Sequence, residues 1–226
     1  MKFVFMTTLY HEINPSRAKD FSYCFRRNCD NPLFEKMVIL YDTRKGESPL
    51  RRLAQEVKHA VVMAVDDRPT FASFFSVANS EFHGKNILVC NSDIYYDDSL
   101  SLIKDSHLKG TLMALTRWTH ETNGVPYCEF QCPDGTFKST ASADTWIFKA
   151  PLPPFQADFR LGVGNCDSRV AREAVNAGLL VSNPCKSVKT FHVHSTGYLN
   201  DERSPKYFYT GAGLETPFTE IPTGGD

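Results

Sequence analysis

An α/β domain with a mainly parallel sheet is predicted by three features of the sequence. Four short apolar runs in the first half alternate with helical patterns. The second half breaks into strand-like pieces joined by turn signals. The composition, 42% hydrophobic and 12% aromatic over 226 residues, is enough for one sizeable core. Lys2 to Thr7 reads as a buried strand, and Asn14-Pro15 supplies a helix cap and first-turn proline ahead of the apolar positions Ala18, Phe21, Cys24 and Phe25. Met37 to Tyr41 is the second run. It ends at Asp42, and Leu50, Leu53, Ala54 and Val57 follow with helical spacing. Ala60 to Val65 is the third strand, after which Phe71, Phe74, Phe75, Ala78 and Phe82 recur at helical intervals and mark the clearest helix in the chain. Asn86 to Asn91 forms the fourth run and leads straight into Ser92-Asp93.

Beyond Asp93 the pattern becomes mixed or antiparallel. Thr111 to Thr116, the stretch around Cys128 to Cys132, and Thr145 to Lys149 are strand-like, separated by turn signals at Asn123-Gly124 and Pro133-Asp134-Gly135. A helix is expected from Asp167 to Ala177, closed by Gly178, and Val188 to His194 forms a last strand. The tail 201–226, rich in Gly, Pro and Thr, carries no periodicity and reads as a loop or lid. One domain is expected over 1–200. Its first part, 1–98, is a Rossmann-like nucleotide-binding half with ligands at the carboxyl ends of the strands.

The 25 basic and 26 acidic residues nearly cancel, and no run of Lys or Arg could track a phosphate backbone, which argues against nucleic acid as partner. The first apolar run, Phe3 to Met6, is cut by Thr7, Thr8 and His11-Glu12, too short for a signal-peptide core or a membrane span. A soluble, cytoplasmic protein is expected. The seven cysteines, at 24, 29, 90, 128, 132, 166 and 185, form no paired CxxC sets and read as reduced thiols.

Three constellations could carry chemistry. Asn91 and Asp93 end an apolar strand, where a carboxylate can bind Mg²⁺ or Mn²⁺; the alternative is a strand-end aspartate capping the next turn. Asp97 and Asp98, ahead of Leu100 and Ile103, read as helix caps. Asp167 follows the glycine-rich Leu161-Gly162-Val163-Gly164-Asn165-Cys166 and opens a helix; it is either a positioned base or an N-cap. His192 and His194 share one face of the last strand. Two histidines at that spacing could ligate a metal, or be structural.

Asn91-Ser92-Asp93 resembles the DxD motif of GT-A glycosyltransferases, and the likeness to family 2 enzymes covers roughly 1–200. The chain departs from the family at Asn91, where a first aspartate contacts ribose or metal, so direct metal binding leans on Asp93. The segment ending at Asp167 is similar to the family's Gly-x-Glu-Asp region, whose last acid deprotonates the acceptor hydroxyl; Cys166 replaces the glutamate. The resemblance makes 99–200 the acceptor and catalytic half and offers His192 or His194 as partner to Asp93 on the metal. It also implies that Thr7, Thr8 and Asp42 hold base and ribose. Arg68 could pair with phosphate or be merely solvated, and Trp118 and Trp146 could stack on sugar or pack in the core. Asp144 is a second candidate for the base or for acceptor binding.

What the resemblance implies is a metal-dependent hexosyl- or deoxyhexosyltransferase working by single displacement with inversion. It would use Mn²⁺ or Mg²⁺ and a nucleoside diphosphate sugar, a UDP-sugar favoured, and act on a glycan or other hydroxyl acceptor in polysaccharide or glycan synthesis. Two other classes stand beside it: a metal-dependent hydrolase using Asp93, His192 and His194, and a non-catalytic nucleotide- or carbohydrate-binding module.

Overall fold

The computed structural model describes residues 1–120, 124–128, 130–132, 134–136, 142–193, 209 and 213–221. The four apolar runs become strands β1 (Phe3–Tyr10), β2 (Phe34–Asp42), β3 (Ala60–Val65) and β4 (Asn86–Cys90). They pair in parallel because each is followed by a crossover that packs back on the sheet. The crossovers carry helices α1 (Pro15–Cys29), α2 (Pro49–Glu56) and α3 (Phe71–Glu81), each started by a polar cap. Asn14 accepts from the amides of Ser16 and Arg17, Ser48 from that of Arg51, and Thr70 and Ser73 form a capping box.

The remaining strands are β5 (Ile94–Tyr96), β6 (Thr111–Leu115), β7 (Trp118–His120), β8 (Thr145–Lys149), β9 (Leu180–Ser182) and β10 (Thr190–Val193), with α4 (Cys166–Asn176) between β8 and β9. The main sheet runs β3-β2-β1-β4-β8-β6-β9, with β8 antiparallel to both its neighbours, and β5-β10-β7 make a small second sheet. The large sheet is therefore mainly parallel with a mixed far side, as the sequence predicts.

Alternation along the strands builds two cores, one on each face of the sheet. Met6, Leu40, Val89, Ala114 and Trp146 face Phe71, Phe74 and Phe75 of α3 and Val170 and Ala174 of α4. Phe5, Ile39, Leu88, Met113 and Ile147 face the other way, in a core with Phe25 of α1 and Ala54 of α2. Of the described residues, no helix is long and apolar enough to cross a membrane.

Several boundaries differ from the sequence reading. β1 continues past Thr7 to Tyr10, so Thr8 and Tyr10 are strand residues. The three-residue strands β5, β7 and β9 are too short to show a period, and pairing with neighbours alone makes them strands. Around Cys128 to Cys132, the described residues include a bridge from Tyr127 to Thr119 and a turn in which the Cys132 amide donates to the Thr136 carbonyl and the Gly135 amide to the Cys132 carbonyl. Asp97 does cap, accepting from the Ser99 amide, but what it caps is a short 3-10 turn over Asp98–Leu102. All seven cysteines are free thiols.

Candidate active site

The carboxyl ends of β1, β2 and β4, together with the start of β8 and the residues after β6, reach the same edge of the sheet. There they line a cleft of about 700 Å³ closed on its far side by the 161–168 segment. This is where an open α/β sheet offers strand ends and their loops to a ligand. Ser92 is fixed to the floor by its hydroxyl, which donates to the Thr8 carbonyl at 2.7 Å. Asp93 follows, and its carbonyl accepts from the Val193 amide at 3.0 Å, tying the end of β4 to β10. That tie brings His192 in beside Asp93: His192 Nε2 lies 3.3 Å from Asp93 Oδ2. Arg17, in the first turn of α1, reaches the same carboxylate oxygen at 3.9 Å and Glu12 at 3.5 Å.

Across the floor, Asn91 donates through Nδ2 to Asp144 Oδ1 at 2.9 Å, and Arg117 donates to Asp144 Oδ2 at 3.2 Å. Both carboxylate oxygens of Asp144 are thereby engaged. Asp167 is the second residue of α4; the cap position belongs to Asn165, held at a left-handed φ of 66°. Asp167 instead spends its Oδ2 on the Ala143 amide at 2.9 Å, which brings it next to Asp144. The glycine at 162 is favoured by its backbone, whose φ of +74° strains any other residue, and it lets the Arg68 guanidinium come close, 2.9 Å from where a Cβ would stand.

These placements set the charges. Burial by itself would raise the Asp93 carboxyl, but the facing His192 imidazolium and Arg17 outweigh it and hold the group well below the usual carboxylate range. Burial likewise opposes a charge on His192, and the Asp93 carboxylate overcomes it, so the imidazole is raised. Asp167 moves the other way. Burial, with the Asp144 charge behind it, pushes it up to about 6 against the pull of the Ala143 amide. Asp42 is held below its ordinary value chiefly by Arg44, which grips it through Nε at 3.0 Å and a terminal nitrogen at 2.7 Å.

Of the residues singled out in the sequence, Thr8, Asp42, Arg68, Asn91, Ser92, Asp93, Asp144, Trp146, Asp167 and His192 line the cleft. Thr7 does not: it points inward and donates to the Cys90 carbonyl at 2.9 Å. Trp118 lies on the small sheet, with its indole N–H on the Cys185 carbonyl at 2.9 Å and the Lys189 ammonium over its ring, away from the cleft lining. Trp146 borders the cleft, but its side chain is fully buried and its ring packs edge-on against Phe71 at 4.5 Å. His194 falls outside the described residues. The sequence reading missed Tyr10, Arg17, Arg44, Lys45 and Arg117 in the cleft. One of them left a signal: Arg17 is a cation in the first turn of a helix, against the helix dipole.

Asp93 and His192 give a hard oxygen and a borderline nitrogen, a donor pair that fits Mn²⁺ or Mg²⁺ taking its other ligands from diphosphate and water. The fit requires the imidazole to give up its proton. Among the described residues, which leave out His194, no group of three or more His, Cys, Asp or Glu side chains could hold a metal.

The Asn91–Asp144 bond makes its own prediction. Asn91→Asp restores the family's first aspartate but sets two carboxylates where the amide and carboxylate now meet at 2.9 Å, and both cannot stay ionised. A loss of about 1–3 kcal/mol is expected at pH 7, shrinking as pH falls and the pair takes up a proton. Denaturant melts at pH 5 and pH 7 check it; equal, wild-type stability at both would contradict the contact.

No protein-family model matches the chain, and no curated protein matches it. Solved structures do. The chain superposes on TarS 1–349 of S. aureus in complex with UDP-GlcNAc with a TM-score of 0.55 and 15% identity, over 87% of this chain and 60% of that one. The same protein in complex with UDP gives a TM-score of 0.53 at 15% identity, over 86% and 61%. The mannosyltransferase PcManGT of Pyrobaculum calidifontis, in complex with GDP-Man and Mn²⁺, gives 0.52 at 13% identity, over 87% and 57%. The fold is that of the GT-A-like glycosyltransferases. The chain spans about three fifths of the length of these neighbours.

Proposed function

We propose that this chain is a metal-dependent glycosyltransferase that moves a sugar from a nucleoside diphosphate carrier to an acceptor hydroxyl. The observation that carries the reading is the placement of two differently partnered carboxylates in one cleft, Asp93 at 3.3 Å from His192 and Asp167 on the Ala143 amide at 2.9 Å. Asp93 is held ionised beside His192, whereas Asp167 is raised to about 6, next to Asp144. Two acids pushed apart by their surroundings mark an anion that binds and a base that works near neutrality.

In this reading Asp93 and His192 hold Mn²⁺ or Mg²⁺, which when bound neutralises charge on the diphosphate leaving group. Arg17 and Arg68 add positive charge on the same side, and Asp42 and Thr8 face the nucleoside. Asn91, tied to Asp144 through its amide nitrogen, presents its oxygen to a ligand hydroxyl. Asp167 takes the proton of the acceptor hydroxyl as it attacks the sugar carbon that the diphosphate leaves, giving inversion by single displacement. The neighbours' bound UDP-GlcNAc, UDP and GDP-Man support a UDP- or GDP-sugar donor, and the Mn²⁺ beside GDP-Man supports the cation.

Calorimetry tests the donor side. UDP and GDP are expected to bind at least tenfold more tightly with Mn²⁺ than with EDTA, about 1.4 kcal/mol or more. Affinity unchanged by the chelator removes the metal from the proposal. Release of UDP or GDP from the matching nucleotide sugar separates an enzyme from a binding module.

A further inference from the structure

The tail has no periodicity, yet its described residues are fastened to the segment that carries Asp167. Tyr209 grips that segment on both sides of Gly162. Its phenol oxygen accepts from the Arg160 amide at 2.7 Å, its own amide donates to the Gly164 carbonyl at 3.1 Å, and its carbonyl accepts from Asn165 Nδ2 at 2.7 Å. Its ring meets Phe159 edge-on at 5.1 Å. Further along, the Gly213 carbonyl accepts from the Arg172 guanidinium at 2.7 and 3.2 Å, and the Leu214 amide donates to the Ser168 carbonyl at 3.1 Å. The tail thus reaches the first two turns of α4 as well.

Before Arg160 the same segment is already anchored, because the amides of Phe71 and Ala72 donate to the carbonyls of Phe159 and Ala157. From 160 to 165 the chain turns through Gly162 at φ +74° and Asn165 at φ 66°. Two left-handed residues in six make an irregular loop closed by turn bonds from the Val163 amide to the Arg160 carbonyl and from the Cys166 amide to the Val163 carbonyl, and one residue bridging its arms, by its phenol on Arg160 and its backbone on Gly164 and Asn165, limits how far it can move.

We propose that Tyr209 is a positioning residue for transfer: by pinning both arms of the 160–165 loop it keeps the Asp167 carboxylate against the Ala143 amide on the acceptor side of the cleft. The proposal rests on the reading of Asp167 as base, and its test is built to be judged without that reading. With the loop released, water reaches the carboxylate and relieves the burial that raises it. The groups facing Asp167 are the Asp144 carboxylate, backed by Arg117, and the amides of Ala143 and Ser168, with Arg68 beside Gly162.

The experiment is a ¹³C NMR titration of the Asp167 carboxyl in the full chain, wild type against Tyr209→Phe and Tyr209→Ala. Tyr209→Phe removes only the acceptor for the Arg160 amide and keeps ring and backbone, so it decides the matter if the alanine variant does not fold. The wild-type midpoint is expected at about 6. It should fall by roughly one pH unit or more in Tyr209→Ala and by less, in the same direction, in Tyr209→Phe, as the burial contribution is lost. Transfer should lose on the order of 10² in kcat in Tyr209→Ala, with KM for the nucleotide sugar unchanged, as expected for a misplaced catalytic group. A midpoint that stays at about 6 in both variants overturns the proposal, whatever happens to their melting temperatures. If Asp167→Asn transfers at the wild-type rate, the base reading falls instead, while the midpoints still report whether Tyr209 holds the loop.

Discussion

Asp167→Asn is expected to lower transfer by on the order of 10² to 10⁴ while leaving UDP and Mn²⁺ binding unchanged, because a base on the acceptor side does not touch the diphosphate. The wild-type rate should climb as pH rises through about 6, where the carboxylate forms, and the variant should lose that limb. The same substitution is expected to leave the fold no weaker above pH 6, and to strengthen it. A carboxyl raised from 3.8 to about 6 binds a proton more tightly folded than unfolded. The native state is therefore penalised as pH rises through that window, fully so above it and not at all below it. At about 1.4 kcal/mol per unit the penalty is at most about 3 kcal/mol at pH 7, and an amide, which still accepts from Ala143, escapes it. Single-turnover transfer with saturating donor, together with denaturant melts at pH 4 and pH 7, checks both halves. Asp144→Asn is the control. If Asp144→Asn is dead and Asp167→Asn transfers at the wild-type rate, the base is Asp144.

Asp93→Asn is expected to remove metal-assisted nucleotide binding, and also to cost stability without any ligand. The side chains of Asp93 and His192 are only 15% and 8% exposed and face each other at 3.3 Å. Removing the carboxylate strips a nearly buried imidazolium of its partner, a loss of about 1.5–3 kcal/mol. The depressed Asp93 contributes stability above its ordinary range and loses it as pH falls; the raised His192 contributes below its ordinary range and loses it as pH rises. The pair is therefore worth most between roughly pH 4 and 6.5, and the gap between wild type and variant should peak there. Melts of the metal-free proteins across pH 3 to 8 measure it; a gap of zero throughout would return Asp93 to the role of a replaceable strand-end residue.

The sequence by itself determined the alternation of β1 to β4 with α1 to α3. Apolar runs and capped helical periods are local, and the Asn14 and Thr70 caps and the Phe71 to Ala78 stripe act within a few residues of themselves. It also determined that Asn91, Ser92 and Asp93 follow the carboxyl end of a buried strand, since the apolar run stops there and polar residues begin. Tertiary structure alone decided the rest. β5, β7 and β9 exist only through pairing with partners far along the chain. The two tryptophans could be sugar platforms or core by composition; in the structure Trp146 is buried against Phe71, and Trp118 is half-buried beneath Lys189 away from the cleft lining. Asp144 and Asp167 look alike in sequence, and only the long-range contacts from Asn91, Arg117 and Ala143 give one a locked carboxylate and the other a raised one. An acid's environment is made of charges and dipoles brought from elsewhere in the chain, and no local pattern encodes them.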